Sequence, residues 1–428
     1  MKTVAFYTLG CKVNQYETEA MMELFQKHHY KVQDFSEKSD LYIINTCTVT
    51  NQSDRKSRQM ISRARKNNGD AIIAVVGCYP QVSPEEVEKI EGVDLIVGTA
   101  DRNKIVEYCE RAMGSDGVFN EVEDSDDHQI FEELVIENQS HMTRAYIKIQ
   151  EGCRMFCSYC IIPYARGPLK SRPIKEIQKE AQKLAKNGYQ EIILTGIHVA
   201  SYGLDLGKER LIDVIETVAN IDGIERVRLS SLEPRHISPE FLRRMKETKK
   251  ACDHFHLSLQ SGSDFILQQM NRKYDRKLFL EKVQLIREYF PNAGITTDII
   301  VGFPGEKEED FEQTLDLVKK VHFSKIHVFK YSPRKGTKAA QMKNQINGRI
   351  KKERSNRLIE AGKIETKQFL EKYCHYPLEV LWEERSEDGH MEGYTTNYIR
   401  IRGPYDKNKT NKIEEVIAHK IDGEVLVL

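Results

Sequence analysis

The sequence lacks any apolar run long enough to cross a membrane. Its longest apolar runs, such as residues 71–76, fall far short of the ~18 residues that a membrane-spanning helix needs. The N-terminal segment MKTVAFYTLGC runs directly into a strand-like pattern and lacks the apolar region and cleavage site of a secretory signal peptide. These absences argue against a transporter or a secreted protein, and we expect a cytoplasmic protein with no membrane partner.

The sequence also lacks net charge, because its 428 residues contain 65 Lys and Arg against 65 Asp and Glu. Overall charge therefore indicates no class of partner. Hydrophobic residues make up 39% and charged residues 30%, which is typical of a soluble globular protein of roughly three domains. Nine cysteines in a cytosolic chain are not expected to form disulfides, so their positions decide whether they are ligands, redox groups or core residues.

Residues 1–115 have the pattern of a small α/β domain with a parallel sheet. Short apolar runs typical of buried parallel strands alternate there with helical patterns. We interpret residues 116–140 as an acidic linker or a solvated surface segment. Between residues 121 and 137 this segment contains eight acidic residues and no basic residue. The predicted strands of the first domain are 4–9, 41–45, 71–76 and 95–97.

Residues 141–370 show a second α/β pattern, in which six strand–helix units follow one another. This pattern predicts a partial or full parallel barrel of the (β/α)6 type, and a doubly wound open sheet is the alternative. Residues 371–428 have short alternating runs separated by glycines, which predict a small β-barrel. The predicted strands here are 145–150, 191–196, 226–231, 254–259, 296–301, 325–331, 378–382, 398–402, 414–418 and 424–428, and the predicted helices are 174–187, 207–219, 276–289, 306–321 and 349–372.

Three cysteines lie on one short loop after a predicted strand. Cys153, Cys157 and Cys160 form the pattern C-x3-C-x2-C within EGCRMFCSYC. Three thiolates at this spacing can hold three corners of a [4Fe–4S] cluster and leave the fourth iron open for a ligand. The alternative is a zinc site, but zinc sites usually add a second C-x2-C pair or nearby histidines, and the sequence has neither here.

Three other cysteines follow successive predicted strands. Cys11, Cys47 and Cys78 end the segments AFYTLGC, YIINTC and IAVVGC, about one βα unit apart. The ends of such strands meet at one edge of a parallel sheet, where ligand sites form. We therefore predict a second cluster with one open iron, and the alternative is that these cysteines only pack in the core. The remaining cysteines, which are expected to be core or surface thiols, are Cys109, Cys252 and Cys374.

These motifs resemble the radical S-adenosylmethionine superfamily, and nearly the whole chain is similar to its methylthiotransferases. The loop in KIQEGCRMFCSYCIIPYARG, with the aromatic Tyr159 before its last cysteine, carries the resemblance to the superfamily. TLGCKVNQYE, INTCTV and VVGCYPQ resemble the N-terminal cluster domain of the methylthiotransferases, and the C-terminal segment is similar to the TRAM domain, an RNA-binding β-barrel. TLGCKVN and CIIPYARGPLKSR most resemble the branch that modifies N6-threonylcarbamoyladenosine in tRNA.

The resemblance implies an enzyme that adds a methylthio group to C2 of N6-threonylcarbamoyladenosine at position 37 of tRNA. It implies two molecules of S-adenosylmethionine per turnover and a flavodoxin or ferredoxin as electron donor. Sibling branches act on isopentenyl-adenosine in tRNA or on an aspartate of a ribosomal protein, and a non-catalytic metal-containing RNA-binding protein is the alternative from another class. The implied cluster ligands are Cys11, Cys47 and Cys78 for an auxiliary [4Fe–4S] cluster, and Cys153, Cys157 and Cys160 for the radical cluster.

Seven residues are candidate contacts of S-adenosylmethionine, most of them at the C-terminal ends of predicted barrel strands, where barrels place reactive groups. Glu233 is a candidate ligand for the cationic end or the ribose, and Tyr159 would flank the adenine. Gly196 and Gly302 would let the backbone approach the cofactor closely. Where members of the superfamily often carry a Gly-Gly-Glu motif, this sequence has LTGIH. Gly196 matches a glycine of the motif, but no glutamate follows it. The other candidates are Ser230, Gln260 and Asp298.

Three stretches are locally basic, namely residues 51–66, 330–352 and 398–412. Such patches neutralise RNA phosphates and make binding salt-sensitive, and the alternative for each is an ordinary solvated face. Tyr398 is a candidate for stacking on a base of the anticodon loop. The predicted RNA contacts are Arg166, Lys170, Tyr398, Arg400, Arg402 and Lys407. His254 and His256 alternate along one predicted strand and are expected to be structural.

Overall fold

The computed structural model describes residues 1–114, 117–125, 130–134, 136, 143–385 and 389–428. Its first part contains strands β1 (Thr3–Thr8), β2 (Lys31–Gln33), β3 (Leu41–Thr46), β4 (Ile72–Gly77), β5 (Leu95–Val97) and β6 (Phe119–Glu121), and helices α1 (Lys12–Lys27), α2 (Asn51–Asn67), α3 (Cys78–Val82), α4 (Pro84–Glu88) and α5 (Ile105–Ala112). The strands form one sheet in the order β2-β1-β3-β4-β5-β6, and every neighbouring pair is parallel. Apolar cores lie on both faces, as a parallel sheet covered by helices requires. The predicted N-terminal parallel-sheet α/β fold is confirmed.

The acidic segment predicted as a linker or solvated surface is partly built into this fold. Strand β6 continues the first sheet to Glu121, beyond the predicted boundary at residue 115. Leu134 and Ile136 are buried against α1, and Glu132 pairs with the buried Arg102 at 2.7 Å. Acidic side chains of this segment are therefore partners of buried cations, which charge counting along the sequence does not reveal. Residues 116, 126–129, 135 and 137–140 of the segment lie outside the described residues.

The central part contains six parallel strands in the order of the chain. Its strands are β7 (Arg144–Glu151), β8 (Lys170–Ser171), β9 (Glu191–Gly196), β10 (Arg226–Leu229), β11 (His254–His256), β12 (Gly294–Val301) and β13 (Lys325–Lys330). Two sheets, β10-β9-β7-β8 and β11-β12-β13, are joined by isolated parallel bridges such as Leu232 to Leu257. Only the short β8 is antiparallel to its neighbour. In a doubly wound sheet the strand order reverses at one point, whereas these six parallel strands follow the order of the chain throughout. The structure therefore confirms the partial barrel.

Helices cover the outside of this barrel. They are α6 (Ile162–Arg166), α7 (Ile174–Lys186), α8 (Leu211–Ala219), α9 (Pro239–Glu247), α10 (Asp264–Gln269), α11 (Arg276–Tyr289), α12 (Glu308–Val321) and α13 (Gly348–Glu371). Helix α8 begins at Leu211 instead of residue 207, because Gly207 has a φ of +88° that no helix accommodates. Among the described residues, no helix combines the length and the apolar character needed to cross a membrane.

The third part is a six-stranded sheet. Its strands are β14 (Pro377–Arg385), β15 (His390–Tyr394), β16 (Arg400–Pro404), β17 (Ile413–Ile417), β18 (Lys420–Asp422) and β19 (Val425–Val427). Their order is β17-β14-β15-β16-β19-β18, antiparallel except for β16 with β19. Trp382, the one tryptophan of the sequence, is 1% exposed in a core with Met391 and Ile401. The predicted β fold of this part is confirmed, although β15 was not predicted because only Met391 and Tyr394 in it are large and apolar.

The third part packs on the N-terminal ends of the barrel strands. Arg228 in β10 donates hydrogen bonds to the carbonyl oxygens of Thr395 at 2.9 Å and Thr396 at 2.8 Å. Gly294 begins β12 with no room for a side chain, since a Cβ there would lie 2.1 Å from the carbonyl oxygen of Asn397. This close contact closes one end of the barrel with backbone from the C-terminal domain.

Candidate active site

Cys11, Cys47 and Cys78 meet at one edge of the first sheet. Cys47 directly follows β3, Cys78 directly follows β4, and Cys11 comes shortly after β1. These three strands are adjacent in the sheet. Gly10 has a φ of +112°, and a Cβ there would lie 2.7 Å from the Cβ of Cys47, so glycine permits the approach of the two segments. The convergence expected from the sequence is therefore present.

Burial disfavours free thiolates at this edge. Cys47 is 6% exposed and Cys78 is 3% exposed. Burial raises the pKa of Cys47 to about 12, and it raises the pKa of Cys78 although the nearby Arg166 guanidinium opposes the shift. Buried thiols become ligands when a metal centre supplies the positive charge that stabilises the thiolates. A donor set of three cysteines fits an iron–sulfur cluster with one open iron.

A buried charge cluster joins this edge to the barrel. The Nε of Arg166 lies 3.3 Å from the Sγ of Cys78, and its Nη1 pairs with Glu17 at 2.6 Å. Glu17 also pairs with Arg102 at 2.5 Å and with Lys148 at 2.9 Å. Burial alone would raise the pKa of Glu17, but these three cations outweigh it and hold that pKa below its usual range. The cluster fixes the N-terminal sheet against β7 and the cysteine loop that follows it.

Cys153, Cys157 and Cys160 lie on the loop between β7 and α6. The N–H of Cys153 donates to the carbonyl of Gly167 at 3.1 Å, and the N–H of Cys160 donates to the carbonyl of Cys157 at 2.9 Å. The Nη1 of Arg272 lies 3.3 Å from the Sγ of Cys157. Burial raises the pKa of Cys153 to about 11 and that of Cys160 to about 12. This donor set also fits a [4Fe–4S] cluster with one open iron.

A cavity of about 990 Å³ lies where the three parts of the protein meet. Cys11 and Lys12 line it from the first part, Gly196 and Ser230 from the barrel, and Tyr398 from the C-terminal part. Its volume lies at the upper end of the range typical of small-molecule sites, ~300–1,000 Å³. One space therefore connects the auxiliary cysteine edge with the barrel interior and the C-terminal domain.

Histidines on two barrel strands, β11 and β13, face this cavity, and the sequence interpretation missed them. His254 stacks on Tyr398 with ring centroids 4.5 Å apart. His256, Asp298 and His327 each offer a ligand atom within 4.8 Å of the others, and all three line the cavity. The alternation of His254 and His256 was the available signal, because residues two apart in a strand share one face. In this barrel, the face that His254 and His256 share points to the interior.

Three of the predicted S-adenosylmethionine contacts line the cavity, namely Gly196, Ser230 and Asp298. A Cβ at Gly196 would lie 2.8 Å from the carbonyl oxygen of Gln150, so a side chain there would displace β7. Asp298 pairs with His256 at 3.3 Å. The Oγ of Ser230 is buried and makes no hydrogen bond within the described part of the chain.

Glu233 lies outside the cavity lining, in a polar group of its own. Its carboxylate pairs with Arg235 at 2.5 Å and lies 3.6 Å from ring nitrogens of both His198 and His236. Burial alone would raise the pKa of Glu233, but the two histidine rings and the Arg235 guanidinium beside its carboxylate hold that pKa far below its usual range. The carboxylate is charged and already paired with Arg235, and its role toward the cofactor stays a prediction.

Tyr159, Gln260 and Gly302 also lie outside the cavity lining. Tyr159 packs on a small apolar cluster at the end of the barrel. Gln260 has a φ of +69°, and its N–H donates to the carbonyl of Asp298 at 2.9 Å. The N–H of Gly302 donates to the carboxylate of Glu306. Their predicted contacts with S-adenosylmethionine stay predictions.

The predicted RNA contacts fall into three environments. Tyr398, Arg400 and Arg402 line the cavity, where both arginines pair with Glu392 at 3.1 Å. Lys407 is exposed on the surface. Tyr398 is itself enclosed by the protein, since the Arg228 guanidinium lies 4.7 Å from its ring centroid. Stacking of its ring on a base therefore requires access through the cavity.

Arg166 and Lys170 occupy buried positions. Arg166 is 1% exposed and belongs to the charge cluster, and Lys170 is 8% exposed in β8. Burial lowers the pKa of Lys170. A buried, ion-paired guanidinium and a buried lysine are not available to an RNA phosphate, so we leave Arg166 and Lys170 out of the proposed RNA contacts. The sequence shows both residues beside the cysteine loop but not the acidic residues of other segments that enclose them.

Comparison with known proteins identifies the family. The model of the radical SAM superfamily matches residues 147–318, and that of "Uncharacterized protein family UPF0004" matches residues 3–98. A protein of Bacillus subtilis (strain 168) named threonylcarbamoyladenosine tRNA methylthiotransferase MtaB is 42% identical over 97% of this chain and 93% of its own length. The chain belongs to the radical S-adenosylmethionine tRNA methylthiotransferases. This membership confirms the predicted sulfur-inserting transferase and its cofactors, two [4Fe–4S] clusters and S-adenosylmethionine.

A second relative differs in its nucleoside. The protein named tRNA-2-methylthio-N(6)-dimethylallyladenosine synthase from Alkaliphilus oremlandii is 36% identical over 98% of this chain and 92% of its own length. Among solved structures, the radical S-adenosylmethionine methyltransferase TsrM from Kitasatospora setae matches with a TM-score of 0.58 at 15% identity, over 77% of this chain and 73% of that one. At this identity the likeness concerns the fold alone, and it agrees with the barrel described above.

Proposed function

We propose that this methylthiotransferase adds a methylthio group to C2 of N6-threonylcarbamoyladenosine at position 37 of tRNA. The cavity between the three domains carries the proposal. Cys11 from one cysteine triad, Gly196 and Ser230 at barrel strand ends, and Tyr398 from the TRAM-like domain all line it. A modified base held there would lie close to groups from each domain. The name of the Bacillus subtilis relative supports this choice of nucleoside.

The two cysteine triads would hold the clusters. When bound, the clusters and two molecules of S-adenosylmethionine per turnover supply the radical, the sulfur and the methyl group. The chain's own residues provide position and exclude water. The C-terminal domain closes one end of the barrel at Gly294, and the buried charge cluster sets one triad against the other. The residues of that cluster are Glu17, Arg102, Lys148, Glu151 and Arg166.

The proposed partner is a tRNA whose adenosine already carries the threonylcarbamoyl group. The proposed contacts are Tyr398, Arg400 and Arg402 at the cavity and Lys407 on the neighbouring surface. Cations there would neutralise phosphates of the anticodon arm. The proposed electron donor is a flavodoxin or ferredoxin, and the proposed location is the cytoplasm, where tRNA is modified.

Isopentenyl-adenosine in tRNA is the second candidate substrate, because the relative from Alkaliphilus oremlandii is named for its dimethylallyl nucleoside. An aspartate of a ribosomal protein has less support, since both relatives are named for tRNA. A non-catalytic RNA-binding protein would have no use for two cysteine triads that share one chain with a barrel of this family.

An assay with the reconstituted holoenzyme tests the proposal. The enzyme is given S-adenosylmethionine, a reductant and anticodon stem-loops that carry either threonylcarbamoyl- or isopentenyl-adenosine, and the nucleosides are analysed by mass spectrometry. We expect a 2-methylthio product only from the threonylcarbamoyl stem-loop. Product from the isopentenyl stem-loop alone would overturn the choice of nucleoside. As a control, Cys11→Ala should abolish the product while S-adenosylmethionine cleavage persists at the radical cluster.

A further inference from the structure

Within the part of the chain that the structure describes, Lys12 is a cation without an acidic partner inside the cavity. It directly follows Cys11, and its side chain lines the cavity. Within the described residues, no carboxylate lies within ion-pair distance of its Nζ and no hydrogen bond involves it. The nearby Glu191 is occupied by Arg228 at 2.6 Å. A half-buried ammonium with no protein anion beside it is a ready binding site for an anionic ligand group.

The other cations of the cavity are paired. Lys325 binds Glu424 at 2.7 Å, and Arg400 and Arg402 both bind Glu392 at 3.1 Å. The acids of the cavity are paired as well. Besides Glu424, Asp298 lies 3.3 Å from His256 and Asp422 lies 3.4 Å from Arg402. Lys12 is therefore the exception among the lysines and arginines that line this space.

Two further polar groups in the same cavity lack partners. The Nδ1 of His254 and the Oγ of Ser230 are buried and make no hydrogen bond within the described part of the chain. Their residues are 5% and 9% exposed, and both line the cavity. Buried polar groups are normally hydrogen-bonded, so unpaired groups in a cavity indicate a polar ligand. An isopentenyl group, which has no polar atom, would leave the ammonium of Lys12 and the Nδ1 of His254 unpaired.

We infer that Lys12 binds the carboxylate of the threonylcarbamoyl group and so selects this nucleoside over its apolar counterpart. The inference rests on the proposed function. C2 and the carbon that bears N6 belong to the same six-membered ring, so an adenine placed with C2 beside the auxiliary triad also holds its N6 substituent nearby. Lys12, adjacent to Cys11 in sequence, is in position for that substituent. An RNA phosphate is the other possible source of an anion, and the test separates the two.

The test measures the affinity of the holoenzyme for two anticodon stem-loops of identical sequence. One carries threonylcarbamoyl-adenosine, and in the other the threonyl carboxylate is converted to a neutral methylamide. We expect the wild-type protein to bind the carboxylate form about tenfold more tightly, the size of one charged hydrogen bond. Lys12→Gln should reduce the preference to about twofold or less, and Lys12→Arg should retain it. Iron content and circular dichroism verify that each variant is folded.

Lys325→Gln is the matched control. Lys325 lines the same cavity, but its ammonium is already bound to Glu424. This substitution should leave the ratio of the two affinities unchanged. A preference equal to that of the wild-type protein in Lys12→Gln would overturn the inference. An equal loss of affinity for both stem-loops would also overturn it, because it would assign Lys12 to a phosphate.

Failure of the proposed function gives a different result. If the wild-type enzyme forms no 2-methylthio product from the threonylcarbamoyl stem-loop, the proposed function fails whatever the affinities are. If it forms the product but binds the carboxylate and methylamide forms equally, the proposed function stands and the role of Lys12 is refuted. If Lys12→Gln does not fold, the wild-type comparison and Lys12→Arg still decide the question. A folded Lys12→Arg variant that no longer prefers the carboxylate stem-loop would refute a charge-based contact.

Discussion

The Nε of Arg166 lies 3.3 Å from the Sγ of Cys78, so an arginine beside one cysteine triad touches a ligand sulfur of the other. A second arginine, Arg272, touches a sulfur of the radical-cluster triad, since its Nη1 lies 3.3 Å from the Sγ of Cys157. Hydrogen bonds and positive charge at ligand sulfurs tune the reduction potentials of iron–sulfur clusters. Each predicted cluster therefore has its own arginine.

Substitution of Arg166 should change the auxiliary cluster specifically. Loss of a positive charge beside Cys78 destabilises the more negative, reduced state, so Arg166→Met should lower the potential of the auxiliary cluster. A redox titration followed by electron paramagnetic resonance measures this change. Arg272→Met is the matched control and should shift the radical cluster instead. A shift of the same cluster by both variants would contradict the assignment of one arginine to each triad.

The same substitution should lower the free energy of unfolding. Arg166 is fully buried and pairs with Glu17 at 2.6 Å, so its removal leaves an excess of negative charge in the protein interior. Breaking a buried ion pair by removing one partner typically costs ~3–5 kcal/mol. Urea unfolding of the Arg166→Met variant checks this. A loss below ~1 kcal/mol, the range of exposed pairs, would show that the charge cluster is solvated in solution.

Iron content should follow the two cysteine triads independently. Anaerobic reconstitution should give roughly eight irons per chain, because each three-cysteine site holds one four-iron cluster. Replacement of all three cysteines of either triad by alanine should leave roughly four, and replacement of all six should leave none. Cys374→Ser is the control and should keep roughly eight, since Cys374 belongs to neither triad and its Sγ lies 3.7 Å from the carbonyl of Ala418. One zinc per chain would contradict the cluster assignment.

The C-terminal domain should bind tRNA through exposed cations. Lys407 is exposed and makes no ion pair within the described residues. Lys407→Gln should weaken tRNA binding about two- to fivefold and reduce the slope of log K against log salt by about 1. Filter binding at several salt concentrations measures both. Lys179→Gln, on the outer helix α7, is the control and should change neither. An unchanged salt slope in Lys407→Gln would place the RNA elsewhere.

Glu306 should make stability depend on pH. Burial raises its pKa to about 7, against the opposing effects of Arg354 and the N–H of Gly302. Between the ordinary carboxyl pKa of ~4.3 and about 7, the folded protein keeps a proton that the unfolded chain releases, so the free energy of unfolding falls as pH rises. Glu306→Gln should flatten this fall between pH ~5.5 and ~7 in urea unfolding.

Glu308→Gln is the control for this measurement. Glu308 shares Arg354 with Glu306 but is half exposed, and its pKa is lowered by its hydrogen bond with Arg357. Its contribution to stability is therefore lost at acidic pH, below the window in which Glu306 titrates. An equal flattening in both variants would show that the proton is not held by Glu306.

Sequence periodicity predicted the elements that place the cysteines. Continuous apolar strands and the βα order gave the parallel sheet, so the meeting of Cys11, Cys47 and Cys78 at one edge followed from the strand-end rule. The prediction was weakest where contacts cross domains. The sequence predicts Arg166 as an RNA contact and does not show its ion pair with Glu17, because the two residues lie far apart in the chain. Local pattern carries no information on such a pair.

The cavity could not be predicted for the same reason. Its lining comes from all three parts of the chain, and Lys12 and His254 acquire their roles only when these parts pack together. The sequence does not predict the edge strands β2 and β6, because their three residues are mostly polar, whereas the equally short β5 is continuously apolar. Such strands are assigned by pairing with a neighbour and not by their own periodicity.

The most direct test of the central claim is mass spectrometry of tRNA nucleosides from a strain that lacks this gene. We expect loss of 2-methylthio-N6-threonylcarbamoyladenosine and accumulation of its precursor without the methylthio group. Restoration by the wild-type gene and not by a Cys11→Ala variant would tie the loss to the auxiliary triad. Persistence of this nucleoside, with loss of the isopentenyl counterpart or no change in any tRNA nucleoside, would contradict the proposed substrate.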